Sequence, residues 1–143
     1  MLAGPHAILW PAFALVALTF VVWVRMYHVR IREMRRLRIH PQSVATSAQA
    51  SGRFVDTRAS DNLRNLFEMP VLFYAAVLVA HATASTDRTL IVLAWLFVAL
   101  RVLHSAIHCG YNRVMHRFGA YVAGSVVLWA MWAVLGFALA RAA

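Results

Sequence analysis

The 143-residue chain has no lysine, one cysteine and only five acidic residues, and charged residues make up 13% of it. All fourteen of its basic residues are therefore arginine. Because Cys109 stands alone, an intrachain disulfide framework is excluded. A soluble domain usually carries about 25% charged residues, so a water-soluble globular fold is not expected.

The chain is instead rich in apolar residues. Hydrophobic residues account for 62% of it, and the formal net charge is +9. Disordered basic tails and nucleic-acid-binding arms combine high charge with low hydrophobicity, so this composition excludes both, and no nucleic-acid partner is expected. The composition indicates a small protein that resides in the lipid bilayer.

Four apolar runs have the length that a bilayer requires. A spanning helix needs about 20 predominantly apolar residues, and such runs occupy residues 7–24, 63–84, 90–110 and 118–140. We therefore predict an all-α integral membrane protein, a bundle of four transmembrane helices. It forms a single membrane domain over residues 1–143, with a basic cytoplasmic loop over residues 25–61.

The distribution of arginine predicts the orientation of the bundle. Nine arginines lie between residues 25 and 64, and two more lie in the connection between the third and fourth runs. Only Arg88 and Arg141 fall on the opposite side. Short cytoplasmic loops carry the excess of positive residues, so both termini are expected on the non-cytoplasmic side. The exclusive use of arginine suggests a GC-rich bacterial genome and hence a bacterial inner membrane.

The second and third runs contain polar side chains, which are costly in a bilayer and therefore suggest function. At helical spacing these are Asp61, Arg64, Asn65 and Glu68, and then Arg101, His104, Ser105, His108 and Asn112. We predict two facing stripes, with Glu68 paired to Arg101 because a carboxylate and a guanidinium offset each other's burial. A structural alternative is that these residues only fix the register of the helices.

Two further assignments follow from the polar residues. Arginines that follow a membrane span commonly extend to anionic lipid headgroups and fix the topology. The alternative, for which Arg25 at the end of the first run is best placed, is that an arginine projects into the bundle to meet an anionic ligand. His104 and His108 have the i, i+4 spacing of metal or haem ligands. No second His-x-x-x-His pair occurs in the chain, so no metal site is predicted.

Two short motifs resemble those of a known family. The segment RNLFEMP at residues 64–70 resembles the second-helix motif of the MAPEG family, the membrane-associated proteins in eicosanoid and glutathione metabolism. The segment RVLH at residues 101–104 resembles the third-helix motif of the same family. Their order and spacing in a four-span chain of this length support the likeness, and we expect a bacterial-type member.

The resemblance implies a homotrimer that binds glutathione, as co-substrate, between adjacent subunits near the cytoplasmic side. The implied activity is that of a glutathione transferase or peroxidase, which activates the glutathione thiol for attack on a lipophilic electrophile or peroxide entering from the bilayer. The alternative is a non-catalytic membrane binding or scaffold protein that keeps the family fold.

The resemblance also implies roles for individual residues. Arg117, at the start of the fourth span, would stabilise the thiolate, with Arg113 as the reserve candidate. His108 stands where family members often carry tyrosine. Together with Arg25, the residues expected to contact glutathione are Asn65, Glu68, Arg101, His104 and His108.

Overall fold

A computed structural model describes residues 4, 6–50, 52–85 and 87–142 of the chain. Every regular element in this described part is helical. The helices are α1 (Leu9–Leu37), α2 (Ser47–Ala50), α3 (Arg58–Asn65), α4 (Met69–Ala82), α5 (Arg88–Cys109) and α6 (Val114–Ala142), with a 3₁₀ turn at Pro41–Val44 between α1 and α2.

Four helical stretches are long and apolar enough to cross a membrane. They are Leu9–Leu37, Arg58–Ala82, Arg88–Cys109 and Val114–Arg141. The predicted all-α fold with four membrane-spanning helices is thus confirmed.

The first helix extends well beyond the predicted end of the first span. Residues 25–37 continue α1 without a break, because they are mostly good helix formers such as arginine, glutamate, methionine and leucine and include no glycine or proline. The helix ends at Arg38, whose φ of 52° is left-handed. There the Ile39 N–H donates to the Met34 carbonyl at 3.0 Å, which closes the helix end.

The second span is divided into two helices. α3 and α4 are separated by residues 66–68, just ahead of Pro70. Proline has no N–H to donate, and its ring would clash with the carbonyl of Leu66 in a continuous helix, whereas the first turn of α4 tolerates it. The predicted helical stripe therefore ends at Asn65, and Glu68 lies exposed in the break.

Helix α5 is the most buried of the four spans. It packs most extensively against α6 and also contacts α1 and α3. The ring of Phe97 on α5 stacks on that of Phe73 on α4, with centroids 4.7 Å apart, inside a core that includes Leu15 of α1 and Leu128 of α6. This central position places the polar residues of α5 between α3 and α6.

Two arginine side chains form hydrogen bonds from neighbouring helices to the C-terminal end of α5. Arg25 donates from Nη2 to the Cys109 carbonyl at 2.7 Å, and Arg58 donates from Nη1 to the Gly110 carbonyl at 2.6 Å. The other nitrogens of Arg58 donate to both carboxylate oxygens of Asp56 at 2.8 Å. These hydrogen bonds hold the pKa of Asp56 below its ordinary value. The last turn of α5 is therefore tied to both α1 and α3.

The backbone at Gly110 leaves no space for a side chain, so we expect Gly110→Ala to destabilise the protein. A Cβ there would lie 2.7 Å from the Ala106 carbonyl oxygen. Forced close contacts of this kind cost about 1–3 kcal/mol in unfolding free energy. Thermal unfolding in detergent, followed by circular dichroism, measures the loss.

Gly136→Ala is the matched control for this prediction. Gly136 lies inside α6, and no heavy atom is within 4 Å of its added Cβ. Alanine is favoured over glycine in a helix by about 1 kcal/mol, so this variant should be at least as stable as the parent. Equal unfolding temperatures for the two variants would contradict the close contact at Gly110.

Candidate functional site

Arg117 lies in the first turn of α6 and faces the end of α5. Its Nη1 donates to His108 Nε2 at 3.0 Å and to Asn112 Oδ1 at 2.8 Å. Asn112 adopts a left-handed φ of 50°, a conformation that asparagine tolerates better than most residues. The other two guanidinium nitrogens of Arg117 make no hydrogen bond to a described residue. The guanidinium is thus held in place through Nη1, and the N–H groups of its other two nitrogens are available to donate to a ligand.

Two histidines of α5 hold Arg117 from different sides. His104 Nδ1 lies 3.2 Å from the Arg117 carbonyl oxygen and donates to it, so Nε2 of the neutral ring is an acceptor. Within the described residues that buried Nε2 has no partner. His108 accepts from Arg117 at Nε2, so neutral His108 carries its proton on Nδ1, 3.4 Å from Asn65 Nδ2. The Asn65 amide therefore has to turn its oxygen toward this proton to accept it. Backbone and guanidinium of Arg117 are therefore each fixed by an imidazole.

Arg101 lies two turns deeper on α5, about 10 Å from His108 along the helix axis. Its side chain is only 1% exposed, and its guanidinium sits over the rings of Phe97 and Tyr121, 5.1 and 5.0 Å from their centroids. In the part of the chain that the structure describes, none of its three guanidinium nitrogens has a hydrogen-bond partner. The aromatic faces stabilise the cation, but its five N–H donors stay unused.

The structure brings some of the predicted site residues together. Asn65, His104, His108 and Arg117 form one connected polar cluster between α3, α5 and α6. Arg101 continues this cluster inward between α5 and α6, next to Tyr121, whose ring centroid is 5.9 Å from that of His104. We call this set of residues the polar groove.

Other predicted residues lie elsewhere. The predicted ion pair between Glu68 and Arg101 is wrong for this chain, because the break before Pro70 leaves Glu68 exposed while Arg101 has no hydrogen-bonding partner among the described residues. Arg25 uses its guanidinium on the carbonyl of Cys109. Arg113 is exposed, and its side chain makes no hydrogen bond within the described ranges.

Tyr121 and Asn62 of this region could not be recognised from the sequence motifs, whereas Gly124 is a small residue of the kind that lets neighbouring helices approach. Tyr121 and Gly124 follow Arg117 at i+4 and i+7 on α6, so helical spacing alone could have placed them on the same face. An added Cβ at Gly124 would lie 3.8 Å from Arg101 Nε, which shows how near α6 approaches α5 there. Asn62 is buried and accepts from the Ser105 hydroxyl at 3.4 Å.

These features define an integral membrane protein of four spanning helices, with two cationic side chains between α5 and α6. A model of the MAPEG family matches residues 8–137. The chain therefore belongs to the MAPEG family of membrane proteins in eicosanoid and glutathione metabolism, and the resemblance found in the motifs is confirmed. Neither the curated proteins nor the solved structures contain a match to it.

Proposed function

We propose that the protein binds glutathione in the polar groove and activates its thiol for attack on a lipophilic electrophile or peroxide. The observation that carries this proposal is that neither Arg101 nor Arg117 forms an ion pair with a described carboxylate. Among the described residues the only ion pair joins Arg58 to Asp56. A buried cation without a counter-ion costs several kcal/mol, so the groove favours an anionic ligand. Glutathione offers two carboxylates and a thiol.

The residues of the polar groove have separate roles in binding glutathione and in activating its thiol. Arg117 presents free donors at the start of α6, and a neighbouring guanidinium lowers the pKa of a bound thiol from its ordinary value of about 8.5, which favours the thiolate. Arg101 is the counter-ion for a carboxylate. His104 Nε2 accepts a hydrogen bond from a peptide N–H of glutathione. His108 and Asn65 hold the Arg117 guanidinium in its orientation.

The chemistry requires no cofactor other than glutathione itself. The thiol proton passes to solvent, and the thiolate forms a carbon–sulfur bond while the leaving group departs with its bonding electrons. With a peroxide, the thiolate attacks the O–O bond, an alkoxide leaves, and the resulting sulfenic acid condenses with a second glutathione to a disulfide and water. A lipophilic substrate would enter from the bilayer.

The assembly and location of the protein are part of the same proposal. In a homotrimer, an adjacent subunit would complete the glutathione site. The arginine-rich side would face the cytoplasm, where reduced glutathione is available, with both termini on the other side of a bacterial inner membrane.

Calorimetric titration of the detergent-purified protein with reduced glutathione tests the proposal. We expect saturable heat, and protein-dependent formation of a glutathione conjugate when a generic aryl halide is added. The diethyl ester of glutathione, which lacks both carboxylates, should bind at least tenfold more weakly because each charge-assisted hydrogen bond contributes about 1.5–3 kcal/mol.

The absence of both heat and conjugate would contradict the proposal and favour the non-catalytic scaffold. Heat without conjugate would retain glutathione binding but reject the transferase step with that electrophile class. Equal affinity for glutathione and its diethyl ester would show that Arg101 does not recognise a carboxylate of glutathione.

A further inference from the structure

The arginine-rich end of α1 extends past the hydrocarbon layer of a bilayer. Twenty-nine residues of continuous helix are about 43 Å long, against about 30 Å of hydrocarbon. Trp23 and Tyr27 are exposed on one side of α1, with ring centroids 4.9 Å apart. Aromatic residues of this kind concentrate at the membrane–water interface. The helix beyond Tyr27 therefore lies at the level of the lipid headgroups.

A shallow cleft of about 290 Å³ opens on this part of α1. It is lined by His28, Ile31, Arg32 and Arg35. These residues recur at helical i, i+3, i+4 and i+7 spacing and thus share one face of the helix. We call this set the basic cleft.

The same face of α1 is apolar on the membrane side of the basic cleft. Val21 and Val24 precede His28 by seven and four residues, and both are exposed. The face thus presents apolar side chains first and then, about two to three turns further, two guanidiniums. An amphiphile with an anionic head and acyl chains has this arrangement of groups.

The two guanidiniums of the basic cleft lack an acidic partner in the protein. Neither Arg32 nor Arg35 forms an ion pair with a described residue. The nearest carboxylate in the sequence is that of Glu33, which is buried and accepts a hydrogen bond from the Val55 N–H at 2.8 Å. Glu33 therefore binds the loop that precedes α3 and does not pair with Arg32 or Arg35. The cleft therefore offers positive charge to a ligand from outside the chain.

We propose that the basic cleft binds the phosphodiester headgroup of an anionic phospholipid, whose acyl chains lie along Val21 and Val24. Guanidinium groups donate two hydrogen bonds in a planar fork that matches phosphate oxygens. A zwitterionic headgroup would bring its ammonium toward the same two arginines, which disfavours it. This site lies on α1, apart from the polar groove, and does not depend on glutathione binding.

Titration of the full chain in detergent with dioctanoylphosphatidylglycerol, followed by native mass spectrometry, tests the proposal. We expect retained phosphatidylglycerol, but neither dioctanoylphosphatidylcholine nor inorganic phosphate at the same concentration. The Arg32→Gln/Arg35→Gln variant should bind phosphatidylglycerol at least about 25-fold more weakly, because it loses the charge-assisted hydrogen bonds of both guanidiniums to the phosphate.

The Arg36→Gln/Arg38→Gln variant is the matched control, because it removes the same charge from the same end of α1 outside the basic cleft. We expect less than a fivefold effect from it, with both variants checked for parental helix content by circular dichroism. Equal losses of phosphatidylglycerol affinity in the two variants would show that general surface charge, and not the basic cleft, binds the lipid, and would overturn the proposal. Equal binding of phosphatidylcholine or of inorganic phosphate would overturn it as well, and so would undiminished lipid binding by Arg32→Gln/Arg35→Gln.

Discussion

Replacing Arg101 with methionine is expected to stabilise the ligand-free protein and to weaken glutathione binding about 100-fold. The guanidinium is buried with three nitrogens that lack partners among the described residues, so its removal relieves a desolvation penalty. An apolar side chain of similar length should raise the free energy of unfolding by about 1–4 kcal/mol. The same change removes the counter-ion of a ligand carboxylate, which costs about 2–5 kcal/mol of binding.

Thermal unfolding and calorimetry measure the two effects on one preparation. Arg88→Met is the matched control, since Arg88 begins the same helix but is exposed. It should shift the free energy of unfolding by less than about 0.5 kcal/mol and leave glutathione binding unchanged. A marked loss of stability in Arg101→Met would contradict the inference that Arg101 has no ion-pair partner. It would indicate that another subunit of the assembled protein supplies that partner.

Loss of the Arg117 guanidinium should act on turnover more than on binding. We expect Arg117→Ala to lower kcat of glutathione conjugation about 100-fold, the usual effect of removing one donor that stabilises developing or full negative charge at a reacting atom. KM for glutathione should change by less than about tenfold, because Arg101 remains. Steady-state kinetics with an aryl halide separates the two parameters.

Arg113→Ala distinguishes the two candidate arginines at the start of the fourth span. Arg113 is exposed, whereas Arg117 contacts His108 and Asn112. We therefore expect Arg113→Ala to retain kcat within about twofold. Arg117→Lys keeps the charge but not the planar fork, so it should recover part of the lost rate. Parental kcat in Arg117→Ala would exclude the assigned role, and loss in Arg113→Ala alone would exchange the two residues.

The sequence was sufficient to predict the class of fold because membrane spans are encoded locally. An uncharged run such as residues 118–140 has no other stable form in a bilayer than a helix, and the structure has α6 there. The family could be recognised because residues 64–70 and 101–104 keep its motifs. Neither inference required knowledge of which side chains meet.

The details of the polar groove depended on tertiary geometry. Pro70 was visible in the motif, yet proline is tolerated within many membrane helices, so its effect on the exposure of Glu68 could not be read from spacing. Likewise, Arg25 could meet either a ligand or a backbone carbonyl, and only the position of Cys109 decides between these. His108 could be placed on α5, but its contact with Arg117 required the turn at Asn112.

The two arginines at the end of α5 also alter the electrostatic potential in the polar groove. The C-terminus of a helix carries about half a negative charge on its free carbonyls, and that end lies within one turn of His108. Left uncapped, this charge would repel an anion held by Arg117. By donating to the carbonyls of Cys109 and Gly110, Arg25 and Arg58 neutralise the helix dipole at that point. Both arginines would thereby favour the anion binding proposed for the polar groove without contacting the anion.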